Sequence, residues 1–197
     1  MTPRTPLGSV NELPAIEVYG SVNEPTRRNI DGVALPREYP GESCPIARSL
    51  EIVGERWTLL IMRDAFYGAR RFSDFHGHLG IPKAVLTERL ALLVKEDVLT
   101  KDSGEYRLTD KGRQLWPLIW SMITWGNENY LEKASRRSYR HAECDGVVGR
   151  DRVCQRCGQL PDVSDLVAHP PRHPRDRGRD DPVSRALRRP HRMLEPI

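Results

Sequence analysis

From Cys44 to about Leu131 the apolar positions recur at three- and four-residue intervals, and only a few residues break the run. Ile46, Leu50 and Val53 share one face of a first helix. Ser43 or Cys44 can cap it, Pro45 suits its first turn, and Gly54 ends or bends it. Trp57 to Phe66 is apolar on most sides, which predicts a second helix at the core, stopped by Gly68. "RRFSDFHGHL" predicts a short third helix. The fourth, within "GIPKAVLTERLALL", has a broad apolar surface made by Ile81, Val85, Leu86, Leu90 and Leu93. Its opposite stripe, Ala84, Thr87 and Ala91, is built of short side chains, with Lys83, Glu88 and Lys95 at the borders. Two β-prone runs around Asp102-Ser103-Gly104 predict a hairpin over Val98 to Leu108. Thr109 is the expected cap of a long last helix reaching Ala134, kinked by Pro117.

Helix, helix, helix, hairpin is the order of a winged helix-turn-helix, so the expected fold class is mainly α with a small β-hairpin. In that architecture the second helix of the pair enters the major groove and the hairpin touches the flanking backbone. The short stripe then has a reason: long side chains would hold the helix away from base edges. The competing explanation is a helix packed on both faces in an ordinary helical domain. Trp57, Phe72 and Phe75 are expected in the core. His76 and His78 fit a solvated helix end better than a metal pair. Arg89 points to the apolar side, where a structural ion pair competes with a phosphate contact.

The flanks read differently. Residues 1–43 hold six prolines and no sustained period, as expected of a disordered arm. Residues 44–137 form the winged domain, 141–169 a small cysteine-containing module, and 170–197 an Arg/Pro-rich tail expected to be disordered. The net charge of +4 conceals an alternation of −2, +4, −2 and +4 over 1–43, 44–140, 141–169 and 170–197. A basic core suits a polyanionic partner. No apolar run approaches the roughly 20 residues that span a bilayer and no leader pattern is present, so a cytoplasmic protein with reduced thiols is expected.

The segments "CPIARSLEIVGERWTLLIMRD", "RRFSDF", "LGIPKAVLTERLALLVKEDVL" and "YRLTDKG", in this order, resemble the HxlR-type winged-helix transcriptional regulators. The resemblance covers Cys44 to about Tyr130. It implies a homodimeric bacterial DNA-binding protein joined through its terminal helices, here Ile46, Leu50, Ile119 and Ile123. It also implies a recognition helix over Pro82 to Val94 and a wing over Val98 to Leu108. The DNA-binding residues so implied are Arg70, Arg71, Pro82, Lys83, Ala84, Thr87, Lys101 and Arg107. The wing is shorter than in many relatives.

Two kinds of cysteine chemistry stand out. Cys44 begins a helix, where the dipole favours a thiolate, although Glu42 opposes it. Some relatives use a cysteine here to sense oxidants or electrophiles; the alternative is a small helix-starting residue. Farther on, His141-x2-Cys144 and Cys154-x2-Cys157 are separated by nine residues. Two close ligand pairs across a short loop suit structural, tetrahedral Zn²⁺ in a Cys₃His set. Gly146 and Gly158 allow tight turns behind each pair. His169 or His173 could stand in for His141, and idle reduced thiols are the alternative to a metal site. A filled shell leaves no open catalytic position. With no phosphate loop, carboxylate pair or nucleophile motif, the chain is not expected to be an enzyme. The competing function is a zinc-ribbon module that binds protein or RNA, carried on a helical domain that only dimerises.

Overall fold

The computed structural model describes residues 43–173 and 178–197. Apart from Ser43, the expected N-terminal arm lies outside these residues. The first three helices are α1 (Pro45–Val53), α2 (Arg56–Phe66) and α3 (Phe72–Leu79). They are followed by α4 (Lys83–Lys95), β1 (Leu99–Asp102) and β2 (Glu105–Leu108). Pro45 starts α1 with Cys44 as N-cap, and the cysteine side chain makes no capping bond. Gly80, left-handed at φ 63, closes α3 and turns the chain into α4. Ser103 and Gly104 both have positive φ (48 and 82), and Asp102 faces Glu105, so two residues close the hairpin.

Ile61, Met62 and Phe66 of α2, Phe75 of α3, and Leu86, Leu90 and Leu93 of α4 are fully buried together with Ile81. The predicted apolar face of the fourth helix is therefore its core face. Arg89 is also buried, within 3.8 Å of Glu55 and 3.4 Å of Glu88. His78 is no solvated helix end: its Nδ1 lies 2.6 Å from Oδ2 of fully buried Asp64. The other Asp64 oxygen accepts from Nε and Nη2 of Arg63 at 2.9 and 2.7 Å, which satisfies the buried charge.

The expected single kinked helix is instead two, α5 (Asp110–Arg113) and α6 (Trp116–Tyr130). Thr109 caps α5, its Oγ1 accepting from Gly112 N at 2.9 Å. Pro117 lies in the first turn of α6. It has no N–H to give, and its ring excludes a helical carbonyl at Arg113, so the helix restarts rather than bends.

The C-terminal third corrects a second expectation. Residues 178–197 are not a disordered tail: they carry α7 (Pro182–Ala186) and β5 (His191–Arg192). β3 (Ser138–His141), β4 (Leu166–His169) and β5 form one antiparallel sheet in that order. The sheet thus extends beyond both bounds, 141 and 169, that the cysteine spacing suggested. Asp181 caps α7 through Ser184 N at 2.9 Å, and Val183, Leu187 and Met193 are buried. Tyr139, Val148, Leu166 and Ala168 join the same core as α2 and α6.

Candidate nucleic-acid interface and metal centre

Burying one face of α4 fixes the other outward. Pro82, Lys83, Ala84, Thr87 and Ala91 are all exposed. Thr87 Oγ1 donates to Lys83 O at 2.9 Å, so the hydroxyl turns back along its own helix. Close by, Tyr106 N donates to Arg70 O at 2.7 Å, and Arg71 bridges Glu105, joining the wing to the start of α3. Glu105 thereby collects three of the expected DNA contacts. Arg107 donates to it at 2.8 Å, and Arg70 and Arg71 each lie 3.9 Å away. Three guanidiniums around one carboxylate leave a positive excess at the wing's base. Nothing in the sequence pattern marks Glu105, because the register that brings it to Arg71 is tertiary. Lys101 on the wing lies over the Tyr106 ring, 5.2 Å from its centroid.

The four expected metal ligands converge. One ligand atom each from His141, Cys144, Cys154 and Cys157 lie within 4.8 Å of one another. His141 Nδ1 is 3.3 Å from Cys157 Sγ and 3.5 Å from Cys144 Sγ, and the Cys144 and Cys154 sulfurs are 3.4 Å apart. A tetrahedral ion bonded to sulfur at about 2.3 Å and nitrogen at about 2.0 Å needs ligand atoms roughly 3.6 Å apart. The cluster therefore fits a metal ion. His169 belongs to β4, opposite Ser138, and His141 completes the set.

The turns behind each pair are tight. Asp145 and Gly158, one residue past Cys144 and Cys157, adopt positive φ (56 and 73). At Gly146 the requirement is space: a Cβ there would lie 2.4 Å from Cys154 Sγ. The N–H groups of Cys157 and Arg156 aim at the Cys154 sulfur and lower its pKa to about 6, favouring the thiolate a metal needs. The Gly146 N–H likewise favours the Cys144 thiolate, but burial and the neighbouring sulfurs push that thiol up. Outside the shell, Glu143 lies 3.8 Å from His141 Nε2.

Cys44 is exposed, as are Ile46 (71%) and Leu50 (46%) on α1. Of the residues expected at a dimer interface on the last helix, Ile119 is only 3% exposed, inside the protomer core, and Ile123 is half-buried. The outward apolar residues of α6 are Leu118, Met122 and Trp125, followed by Tyr130. Its inner tryptophans pack on the C-terminal sheet instead. Tyr139 lies 5.0 Å from Trp120 and 6.2 Å from Trp116 between ring centroids, and Trp120 Nε1 donates to Arg150 O at 2.9 Å.

Four helices, a hairpin and a following long helix, with an exposed short-residue stripe on the fourth helix, define a winged helix-turn-helix protein. The chain belongs to the HxlR-like helix-turn-helix family, whose pattern matches residues 52–135. Over 145 residues it is 39% identical to the HTH-type transcriptional regulator Rv3095 of Mycobacterium tuberculosis, covering 69% of this chain and 90% of that one. The HTH-type transcriptional regulator YvaP of Bacillus subtilis is 34% identical over 96 residues, covering 44% of this chain and 89% of the relative. The crystal structure of PA1607, described as a candidate transcription factor, is 38% identical with a TM-score of 0.50. That match spans 60% of this chain and 89% of PA1607.

Proposed function

We propose that this protein is a homodimeric transcriptional regulator that reads duplex DNA with α4 in the major groove and the β1–β2 wing on the adjoining backbone. The observation that carries this reading is α4 itself: Leu86, Leu90 and Leu93 are buried in the core, and Pro82, Lys83, Ala84 and Thr87 remain outside. Short side chains let the helix backbone approach base edges, and Lys83 supplies reach to a base or phosphate. The arginines around Glu105 fit a phosphate beside the groove. The metal site holds one structural zinc ion, because three thiolates and an imidazole in a closed shell suit Zn²⁺ and leave no position for substrate. No enzymatic activity is assigned to the chain. Among the described residues no helix is long and apolar enough to cross a membrane.

Dimerisation uses the outward apolar residues of α1 and α6, and Cys44 sits at the start of that surface. Oxidation or alkylation of Cys44 would then alter the dimer and its DNA affinity, and Cys44→Ser would abolish the response. The governing experiment is fluorescence anisotropy with labelled duplexes tiling the region upstream of the protein's own gene. One duplex should bind with strong salt dependence and resist competitor DNA. Equal binding of every duplex, or none, would remove the sequence-reading role.

A further inference from the structure

The sheet that carries metal ligand His141 ends, on its far strand, against the turn that carries Arg70. Leu194 N donates to Phe66 O at 2.9 Å and Ile197 N to Gly68 O at 3.2 Å. His191 Nε2 lies 2.8 Å from Tyr67 O, and Arg70 Nη2 donates to Leu194 O at 3.3 Å. The fit leaves no spare room: at Gly68, φ +95, a Cβ would stand 1.7 Å from Glu195 O. On the near strand, Tyr139 is two residues before His141, and its hydroxyl meets that of Tyr67 at 2.7 Å. Both edges of the sheet therefore grip residues 66–70. From there the path continues through Arg70 O to Tyr106 N, and through the Arg70 and Arg71 side chains to Glu105 on the wing.

The metal ligands sit where they can stiffen this grip. His141 closes β3, while Cys144, Cys154 and Cys157 lie in the loop leading to β4. Val148 N donates to Tyr139 O at 2.9 Å, and Ala142 N to Asp165 O at 2.7 Å just before β4 begins. An ion bonded to all four ligands would tie this loop to β3 on one side and set the entry to β4 on the other. β4 in turn holds β5 by the pairs Val167 with Arg192 and Ala168 with His191. Without the ion, the loop keeps its backbone bonds, a few valines and side-chain bonds at its rim, Arg156 Nη1 to Cys144 O at 2.6 Å and Arg140 Nη1 to Asp145 O at 2.8 Å. None of these joins the two ligand pairs through their side chains.

We infer that the Cys₃His centre is a control site: a soft divalent metal ion bound there raises DNA affinity by holding residues 66–71, and so Arg70, Arg71 and the wing, in their binding arrangement. The inference rests on the DNA-binding function proposed above. It makes the metal an effector as well as a structural ion. Linkage makes the effect reciprocal, so bound duplex tightens the metal by the same factor.

The test uses the full chain, zinc-loaded and after chelation, with two readouts. Hydrogen exchange of 66–71 and 191–197, measured without DNA, should quicken on chelation and recover when zinc is restored. Duplex affinity should fall by roughly tenfold, within the usual range of coupling between sites. His191→Ala, which leaves the metal ligands untouched, should keep its zinc yet show faster exchange at 66–71 and weaker DNA binding. Unchanged exchange at 66–71 and unchanged affinity after chelation would overturn the inference while leaving DNA binding intact. Exchange that responds to zinc, in a protein that binds no duplex in either state, would keep the mechanical coupling and reject the DNA reading. Loss of the helical circular-dichroism signal on chelation would also overturn it, since the ion would then be a folding requirement rather than a control on one turn.

Discussion

A methyl group at position 146 has nowhere to go. The added Cβ would meet Cys154 Sγ at 2.4 Å, the Arg156 Cβ at 2.6 Å and Cys144 Sγ at 3.2 Å. Gly146→Ala must therefore push two ligands apart, and bound metal should fall well below one equivalent per chain. Metal analysis with thiol titration checks this, and an unchanged metal content would show that the loop yields without disturbing the site. Tyr139 offers a second test at this scale. Burial, with Tyr67 beside it, holds its phenol well above the ordinary 10.0. The folded state thus keeps this proton more tightly than the unfolded chain does. Its stabilising contribution is full below about pH 10 and is lost as the pH rises through the folded-state pKa. Tyr139→Phe should cost about 1 kcal/mol near neutral pH, the usual worth of a buried hydrogen bond, and should weaken this alkaline dependence. Urea unfolding at pH 7 and pH 11 measures both.

At the scale of elements, α4 is where stability and the proposed binding are expected to separate. Thr87 is exposed and bonds only to its own helix, so Thr87→Glu should leave the melting temperature nearly unchanged. The new carboxylate would face bases and phosphates, and specific affinity should drop at least about tenfold, the size of losing one good base contact. Lys83→Ala should instead weaken binding to all duplexes similarly and reduce the salt slope by about one. If neither variant changes anisotropy on the operator duplex, α4 is not in the groove. The division of the last helix into α5 and α6 belongs to the same scale. Pro117 marks the place in the sequence, but whether a proline bends a helix or ends it depends on packing. Here Gly112 is pressed against Val98 O, where a Cβ would come within 2.1 Å, and the chain turns before restarting.

At the scale of the molecule, α6 has two apolar sides with different duties. Trp116, Ile119 and Trp120 are buried within the protomer, the tryptophans against Tyr139. Met122 and Trp125 face outward, and the ring of Trp125 stacks edge-on with Tyr130 at 5.2 Å. Charge on the two sides should give opposite results. Met122→Glu is expected to produce folded monomers near 22.5 kDa by light scattering, whereas the wild type is expected at twice that mass. Ile119→Glu is expected to unfold the protein, because it buries an unpaired charge in the shared core. A monomeric wild type at micromolar concentration would dismiss the dimer.

The helices from Pro45 to Lys95, the hairpin and the clustering of His141, Cys144, Cys154 and Cys157 are legible in the sequence alone. Helical and strand periods, caps and ligand spacing are local properties, written within a few residues of where they act. Three features were decided by the tertiary structure. The first is the choice of α6 residues to bury, since Ile119 and Met122 are equally apolar and only the neighbouring sheet distinguishes them. The second is the gathering of Arg70, Arg71 and Arg107 around Glu105, which depends on hairpin register. The third is the folding of 178–197, where arginine and proline dominate the composition. The Asp181-Pro182 cap with Val183 and Leu187 was the local signal of a helix there, too short to stand alone. Burial against α3 and β4 makes that segment fold, and burial is a property of the whole chain rather than of any window along it.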